Sequence, residues 1–488
     1  MNRKIFVLSF FLIFLFPFIG SSRESGLQSG RPESKIFRLA DVTQEKFTGD
    51  LDGMIERRLI RVLVTYCKTH FFVDKGTQLG IVHDLFSMFE SDLNRNLRRK
   101  NVRVHVVFIP VARDEIIEAL MEGRGDVAAA NLTISPERLE KVDFTDPLIT
   151  NIREIVVTGP GVDPVTDKYG LSGKEIYILK SSSFHESVKK LNEDLEKAGK
   201  KPVKVRPAPE ELETEDILEM VNAGVVGITI ADSHIAGFWE KIFDGITLNP
   251  EAVLASGRKI GIMIRKNSPL IKAELNEFLG RYPEGSKSRN LLLQKYLRNT
   301  KFAREVTSRE DLARFEAIVD LFLKYAGKYD LDHLMVVAQG YQESRLDHNA
   351  RSPAGAIGIM QLLESTGKEM RVGDIYEIGP NIHAGVKYLR FMMDHYYADE
   401  SIDPLNRGLF AIASYNAGPG RVSRLRTKAA ERGLDPNIWF NHVEVVAAEK
   451  VGRETVQYVS NIYKYYLTYR MIVERAEKRE KVISEMVH

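Results

Sequence analysis

From residue 59 the chain alternates short β-branched apolar runs with longer segments of helical period. The run "LIRVLVTY" (59–66) has the length and composition of a buried strand. "QLGIVHDLFSMFESDLNRNL" then places Leu85, Met88 and Phe89 on one helical face. The strand "VRVHVVFIPV" follows, and "RDEIIEALMEGRGDVAAANLTI" reads as a helix stopped at Gly123 and running into another strand. Such alternation predicts a mainly parallel sheet flanked by helices. The order helix, glycine stop, apolar strand, polar turn recurs in "TEDILEMVNAGVVGITIADSHIAGF", so two similar α/β lobes are expected. The strand "KIGIMIRKNSPL" (259–270) leads to a helix ending near Arg281, and Pro283, Gly285 and the polar "EGSKSRN" mark a boundary. From about Asp311 the strand pattern disappears, and "LARFEAIVDLFLKYAGKY" through "QYVSNIYKYYLTYRMIVERA" read as helix. There is no solenoid period and no low-complexity tract, and the closing "ERAEKREKVISEMVH" reads as a solvated helix end or tail.

The amino terminus departs from this pattern. Arg3 and Lys4, an apolar run from Ile5 to Ile19 and the small residues Gly20 to Ser22 outline a secretory signal. The run is shorter than the roughly 20 residues of a membrane span, with an uncleaved anchor as the alternative. No cysteine follows it, which excludes a lipid anchor there. The expected divisions are a signal at 1–22, a linker at 23–45, the α/β domain at 46–282, a second linker at 283–310, the helical domain at 311–470 and a charged tail at 471–488.

Composition narrows the chemistry. The 488 residues are 44% hydrophobic and 28% charged, and 69 basic against 67 acidic residues leave a net charge of +2, with no global field to steer the chain toward nucleic acid. Cys67, the single cysteine, cannot form an intramolecular disulfide, and its place at the end of "LIRVLVTYC" suits core packing. The 11 histidines show no "HExxH" run and no paired cysteine ligands, so no metal is expected. With no "GxxxxGK[ST]" loop either, no cofactor is expected.

In "TISPER" a hydroxyl, Thr133, and a guanidinium, Arg138, stand where a strand gives way to a turn and helix. Arginine pairs bidentately with a carboxylate, and the amides at a helix start favour the same anion. Read alone, Arg138 and Asp232 are equally ordinary surface charges. The stretch "ALMEGRGDVAAANLTISPERLEKVDFTDPL", with "LIRVLVTY", Gly80 and Asp84, resembles periplasmic solute-binding proteins for polar amino acids. The resemblance implies a two-lobed α/β periplasmic-binding-protein fold closing on a ligand. It puts the carboxylate clamp on Arg138, with Thr133, and the acid that receives the ligand's amino group on Asp232. Ala130 and Asn131 stand where such binders often carry serines, and "KTHFFVDKGTQ" replaces a proline-rich approach to the first helix.

In "LDHLMVVAQGYQESRL", Asp332 is suited to cap a helix whose stripe is Leu334, Val337, Ala338 and Tyr341, and Glu343 lies on another face, aligned with Val336 and Gly340. A glutamate in a cleft of that kind holds its proton and can donate it near neutral pH; a solvated helix-end glutamate is the bland alternative. Asp347 and Glu364 are the carboxylates nearby in sequence. Taken singly, Met360 suits core packing, Tyr458 helix packing, and Gly418 with Gly420 a turn. Yet "QES", "SPAGAIGIMQ" (352–361), "AIASYNAGPGRV" (411–422) and "ETVQYVSNIYKYY" (454–466) together, within about 120 residues, resemble the soluble lytic transglycosylases of goose-type lysozyme fold. "GIMQ" replaces the usual "GLMQ", and "LLESTG" stands where a Met-Pro pair is common.

That resemblance implies a mainly α lysozyme-like domain with Glu343 as catalytic acid and Ser344 supporting it. Gly358, Met360, Gln361, Tyr415, Asn416 and Tyr458 would then contact the glycan or orient the acid. It further implies cleavage of peptidoglycan glycan strands by one glutamate, with a 1,6-anhydro end and no water consumed. An amino acid or muropeptide would be the ligand of the first domain. The expected location is the periplasm, peripheral to the outer membrane. The alternatives are a solute receptor with a non-catalytic murein-binding domain, and a lysozyme-type hydrolase using a second carboxylate.

Overall fold

The computed structural model describes residues 46–297 and 309–487. The signal and first linker expected at 1–45 lie outside the described residues. Among the described residues the main sheet has seven strands, six of them along its path: β1 (Leu59–Val64), β2 (His105–Pro110), β3 (Val127–Thr133), β4 (Ile149–Thr158), β5 (Ile228–Asp232) and β6 (Thr247–Ile264). Their order is β5-β4-β6-β3-β1-β2, and the short strand Asp143–Phe144 also pairs with β6. β1 runs parallel to both β2 and β3, in register from Leu59 opposite His105 to Val64 opposite Pro110. β6 is antiparallel to β3 and β4, and β5 is antiparallel to β4.

The main sheet is therefore mixed, and the expectation of a mainly parallel sheet holds only around β1. The reason is topological. β4 carries the chain out of the first lobe and β6 brings it back, and two strands crossing the same gap in opposite directions must pair antiparallel. Repeated register shifts between Asn249 and Ile260 mark where β6 bends along that path. The second lobe adds a small parallel sheet of Glu175–Leu179 and Lys204–Ala208.

Helix α1 (Ile81–Asn96) buries Val82, Leu85, Phe86, Phe89 and Leu93, the apolar stripe of an amphipathic helix. Helix α2 (Thr214–Asn222) starts in a capping box, with the Asp216 carboxylate accepting the Glu213 N–H at 2.8 Å. Residues 287–297, expected inside a linker, form helix α3 (Lys287–Leu297), which packs on α1. The Tyr296 hydroxyl there donates to Asp84 at 2.9 Å.

From residue 309 on the longer elements are helical, among them α4 (Arg309–Lys328), α5 (His333–Ser344), α6 (Ile378–Tyr396), α7 (Pro404–Ala417) and α8 (Arg453–Val487), the last continuing through the stretch expected as a tail. One apolar core runs from the first lobe into this helical domain, while the second lobe has its own clusters. α8 lies against β2. Polar contacts lock the junction: Arg58 grips Glu444 bidentately at 2.5 and 2.9 Å, and Lys464 pairs with Glu90 at 2.8 Å. The Tyr341 hydroxyl, on α5, donates to Thr77 at 2.9 Å.

Candidate active site

Helix α5 delivers Glu343 to its last turn. The Asp332 side chain caps the other end, accepting the Leu334 N–H at 2.9 Å and the Tyr466 hydroxyl at 2.8 Å. Arg345 and Leu346 then turn in the left-handed region, at φ 59° and 62°, and end the helix one residue past Ser344. Gly340 lets α4 approach, since a Cβ there would meet the Phe322 ring at 2.8 Å.

Burial lifts the Glu343 carboxyl to about 7, and a short hydrogen bond donated by the Tyr458 hydroxyl opposes the shift. No acidic side chain takes part in that shift. Asp347 and Glu364 are exposed and otherwise engaged, Asp347 with the Asn349 N–H at 2.9 Å and Glu364 with Lys368 at 3.0 Å. Neither of these two carboxylates is therefore turned toward Glu343. The buried Tyr458 and half-buried Tyr415 lie beside it, and desolvation and then its charge hold both phenols protonated well above the usual range.

The other expected residues gather around Glu343, several in roles other than those expected. Ser344 donates to the carbonyls of Ile359 at 2.8 Å and Gly340 at 3.2 Å, so it pins the glycine-rich loop to α5. Gly358 has φ 76°, and a Cβ would fall 2.6 Å from the Asn381 amide nitrogen. Met360 is fully buried; its carbonyl accepts the Tyr415 hydroxyl at 2.8 Å, and its N–H donates to Asn381 at 2.9 Å. The Gln361 amide nitrogen donates to Gly358 and Ala350 carbonyls at 2.8 and 3.2 Å, within its own loop. Asn416 accepts the Thr455 hydroxyl at 2.7 Å, which ties the end of α7 to the start of α8. Tyr458 alone of these reaches the glutamate.

Sequence reasoning missed Asn381. Wholly buried on α6, it also donates to the Ile357 and Ile375 carbonyls at 2.9 Å each, and so fixes the loop that faces the acid. A buried asparagine on an apolar helix face was the available signal.

In the first domain, Thr133, Arg138 and Asp232 lie near one another but form no open clamp. Arg138 donates to the carbonyl of Thr133 and, across the lobes, to that of Ser181, both at 3.0 Å. Burial, then the charge of Arg113, bring its pKa down to about 10. The Thr133 and Ser183 hydroxyls meet at 3.2 Å. Arg113 of the first lobe pairs with Glu213 of the second at 2.5 Å. Asp232 accepts from the Asn131 amide at 2.8 Å, while its other oxygen has no partner. Burial and the Glu154 charge raise this carboxyl to about 7. A cavity of about 190 Å³ beside Arg138 includes Lys180, Ser181 and Glu186 but not Asp232.

Fold and site together define a two-domain protein, a solute-binding domain joined to a transglycosylase domain. Residues 62–299 match the bacterial extracellular solute-binding proteins, family 3, and residues 320–437 match the transglycosylase SLT domain. Curated relatives carry the name membrane-bound lytic murein transglycosylase F. That of Desulfosudis oleivorans is 27% identical over 428 residues, covering 83% of this chain and 89% of its own. That of Shewanella woodyi is 28% identical over 439 residues, covering 85% of each. Among solved structures, an ancestral amino acid-binding protein described as a precursor of cyclohexadienyl dehydratase is 22% identical, spans 51% of this chain and 99% of its own, and overlays at a TM-score of 0.42.

Proposed function

We propose that the chain is a peptidoglycan lytic transglycosylase in which Glu343 performs both proton transfers. The observation that carries this is a lone half-buried carboxyl at about 7, held by Tyr458, with no second acid among the described residues acting on it. Near neutral pH both of its forms are accessible, as a group that must give and then take a proton requires. Protonated Glu343 donates to the oxygen of the β-1,4 bond between N-acetylmuramic acid and N-acetylglucosamine, and the bond to the muramic C1 breaks. The carboxylate then takes the proton of the muramic C6 hydroxyl, whose oxygen closes on C1. The proton is back on Glu343, no water is used, and the product ends in a 1,6-anhydro ring. The sugar's own hydroxyl replaces the second carboxylate by proximity.

A hydrolase would need a second carboxyl about 5 to 9.5 Å away, and the side chains of Asp347 and Glu364 are turned to other partners. Ser344, Gly358, Met360, Gln361, Tyr415 and Asn416 shape the wall that the glycan follows. An amino acid or cell-wall peptide in the first domain modulates the activity, a reading supported by the unpartnered Asp232 oxygen. Export and peripheral attachment at the outer membrane are supported by the amino-terminal pattern and by the relatives' name. Among the described residues no helix is long and apolar enough to cross a membrane.

Mass spectrometry of purified murein treated with the protein tests the reading. Fragments with 1,6-anhydro ends are expected, and none from Glu343→Gln. Reducing ends would make the protein a hydrolase, and binding without soluble fragments would make it a receptor.

A further inference from the structure

The interlobe cleft holds side chains that the glycan chemistry does not use. Cys67 and His70 lie just after β1, in the first lobe, and Glu215 lies in the first turn of α2, in the second. The Cys67 sulfur, a His70 ring nitrogen and a Glu215 oxygen all fall within 4.8 Å of one another, and all three residues are buried. The Cys67 Sγ and His70 Nδ1 are 3.5 Å apart. That is close to the edge of a tetrahedron built on metal–sulfur and metal–nitrogen bonds of about 2.3 and 2.0 Å.

Two further observations favour a cation over simple packing. Glu215 is 3% exposed, and its Oε1 has no hydrogen-bond partner. The acids around it at the start of α2 and along it are already answered: the N-cap Glu213 by Arg113 at 2.5 Å, Asp216 by the Glu213 N–H at 2.8 Å, and Glu219 by Lys68 at 2.8 Å. The Arg113 guanidinium also acts on Glu215, but its hydrogen bonds go to Glu213 and the Ala130 carbonyl, so the Glu215 Oε1 keeps a lone pair with no donor. The Cys67 sulfur in turn accepts the His70 N–H at 3.4 Å; burial and the charges of Glu215 and Glu213 favour the thiol while no ion is present, so an ion would bind with release of that proton. One thiolate, one carboxylate and one neutral imidazole together balance a dication. A thiolate and an imidazole beside one carboxylate oxygen suit zinc-like ions rather than calcium or magnesium, which take oxygen ligands. His234, both of whose ring nitrogens are buried without partners, lines a cavity shared with His70.

We propose that Cys67, His70 and Glu215 bind one divalent transition-metal ion of the zinc class, with a fourth position open, and that the ion ties the two lobes together. Full-length protein stripped with a chelator is titrated with Zn²⁺ by calorimetry, and with Co²⁺ as a spectroscopic stand-in. One equivalent should bind, with a near-ultraviolet thiolate-to-cobalt charge-transfer band and a higher thermal midpoint. Cys67→Ser should abolish the band, and Glu215→Gln, of equal size, should weaken zinc at least about tenfold. Absence of saturable binding, binding without the thiolate band, or unchanged zinc affinity in both variants would overturn the proposal. None of these readouts depends on murein cleavage, so the site and the proposed activity stand or fall separately.

Discussion

Replacing Glu343 by Gln separates the chemistry of the site from its contribution to stability. The amide matches the carboxyl in size and can still accept the Tyr458 hydrogen bond, but it cannot ionise. In the folded protein burial holds the Glu343 carboxyl at about 7, against an ordinary value of 4.5. Between those values the native state keeps a proton that the unfolded chain has released, so stability falls as pH rises through that window. At about 1.4 kcal/mol per pH unit, the cost above pH 7 reaches about 3 kcal/mol. The variant carries no such cost. Urea denaturation at pH 4.5 and pH 8 should therefore show Glu343→Gln gaining about 3 kcal/mol on the wild type between the two. Murein cleavage should meanwhile fall by at least about a thousandfold, roughly 4 kcal/mol of barrier, because one group serves both proton transfers. A stability difference that does not change with pH would refute the raised carboxyl. Cleavage retained in the variant would refute its catalytic role.

Tyr458→Phe removes the bond that favours the ionised form, so the alkaline limb of the cleavage profile should move to higher pH while the rate at neutral pH drops; a pH–rate series reads both. Gly358→Ala forces a Cβ into the Asn381 amide at φ 76°, and should cost about 1–3 kcal/mol in denaturation together with a loss of cleavage. Arg58→Ala leaves the wholly buried Glu444 without its charged partner, and should cost about 3–5 kcal/mol, whereas paired replacement of Arg58 and Glu444 by Met should cost much less. Denaturant midpoints of the single and double variants compare the two.

Local pattern made much of the architecture legible. The stripe of α1, the Asp332 cap and the helical run after residue 309 follow from side chains a few positions apart, and the structure has them. The mixed sheet was not legible, because strand direction depends on which lobe each strand enters. Nor was helix α3, whose anchor on Asp84 comes from more than 200 residues earlier in the chain. Ser344 and Gln361 show the same limit within the site. Their hydrogen-bonding capacity could be read from residue type, but the folded loop turned the Ser344 hydroxyl and the Gln361 amide nitrogen toward backbone carbonyls.

The clearest case is the cluster of Cys67, His70 and Glu215. Spacing along the chain points to no metal, since the third donor lies in another lobe and only the folded chain brings it within 4.8 Å of the other two. Arg138 differs in kind: its residue type suggested an anion clamp, whereas the fold turned its guanidinium onto carbonyls of both lobes.

By itself the sequence determined the strand and helix alternation of the first domain, the helical run of the second and the motifs around Glu343, because helical period, caps and glycine stops are written in neighbouring residues. Tertiary structure decided how that glutamate behaves. Its proton affinity follows from burial among elements distant in sequence, and its hydrogen bond from Tyr458, on α8. Desolvation and cross-chain contacts arise only once those elements pack together, so no local pattern could have encoded them.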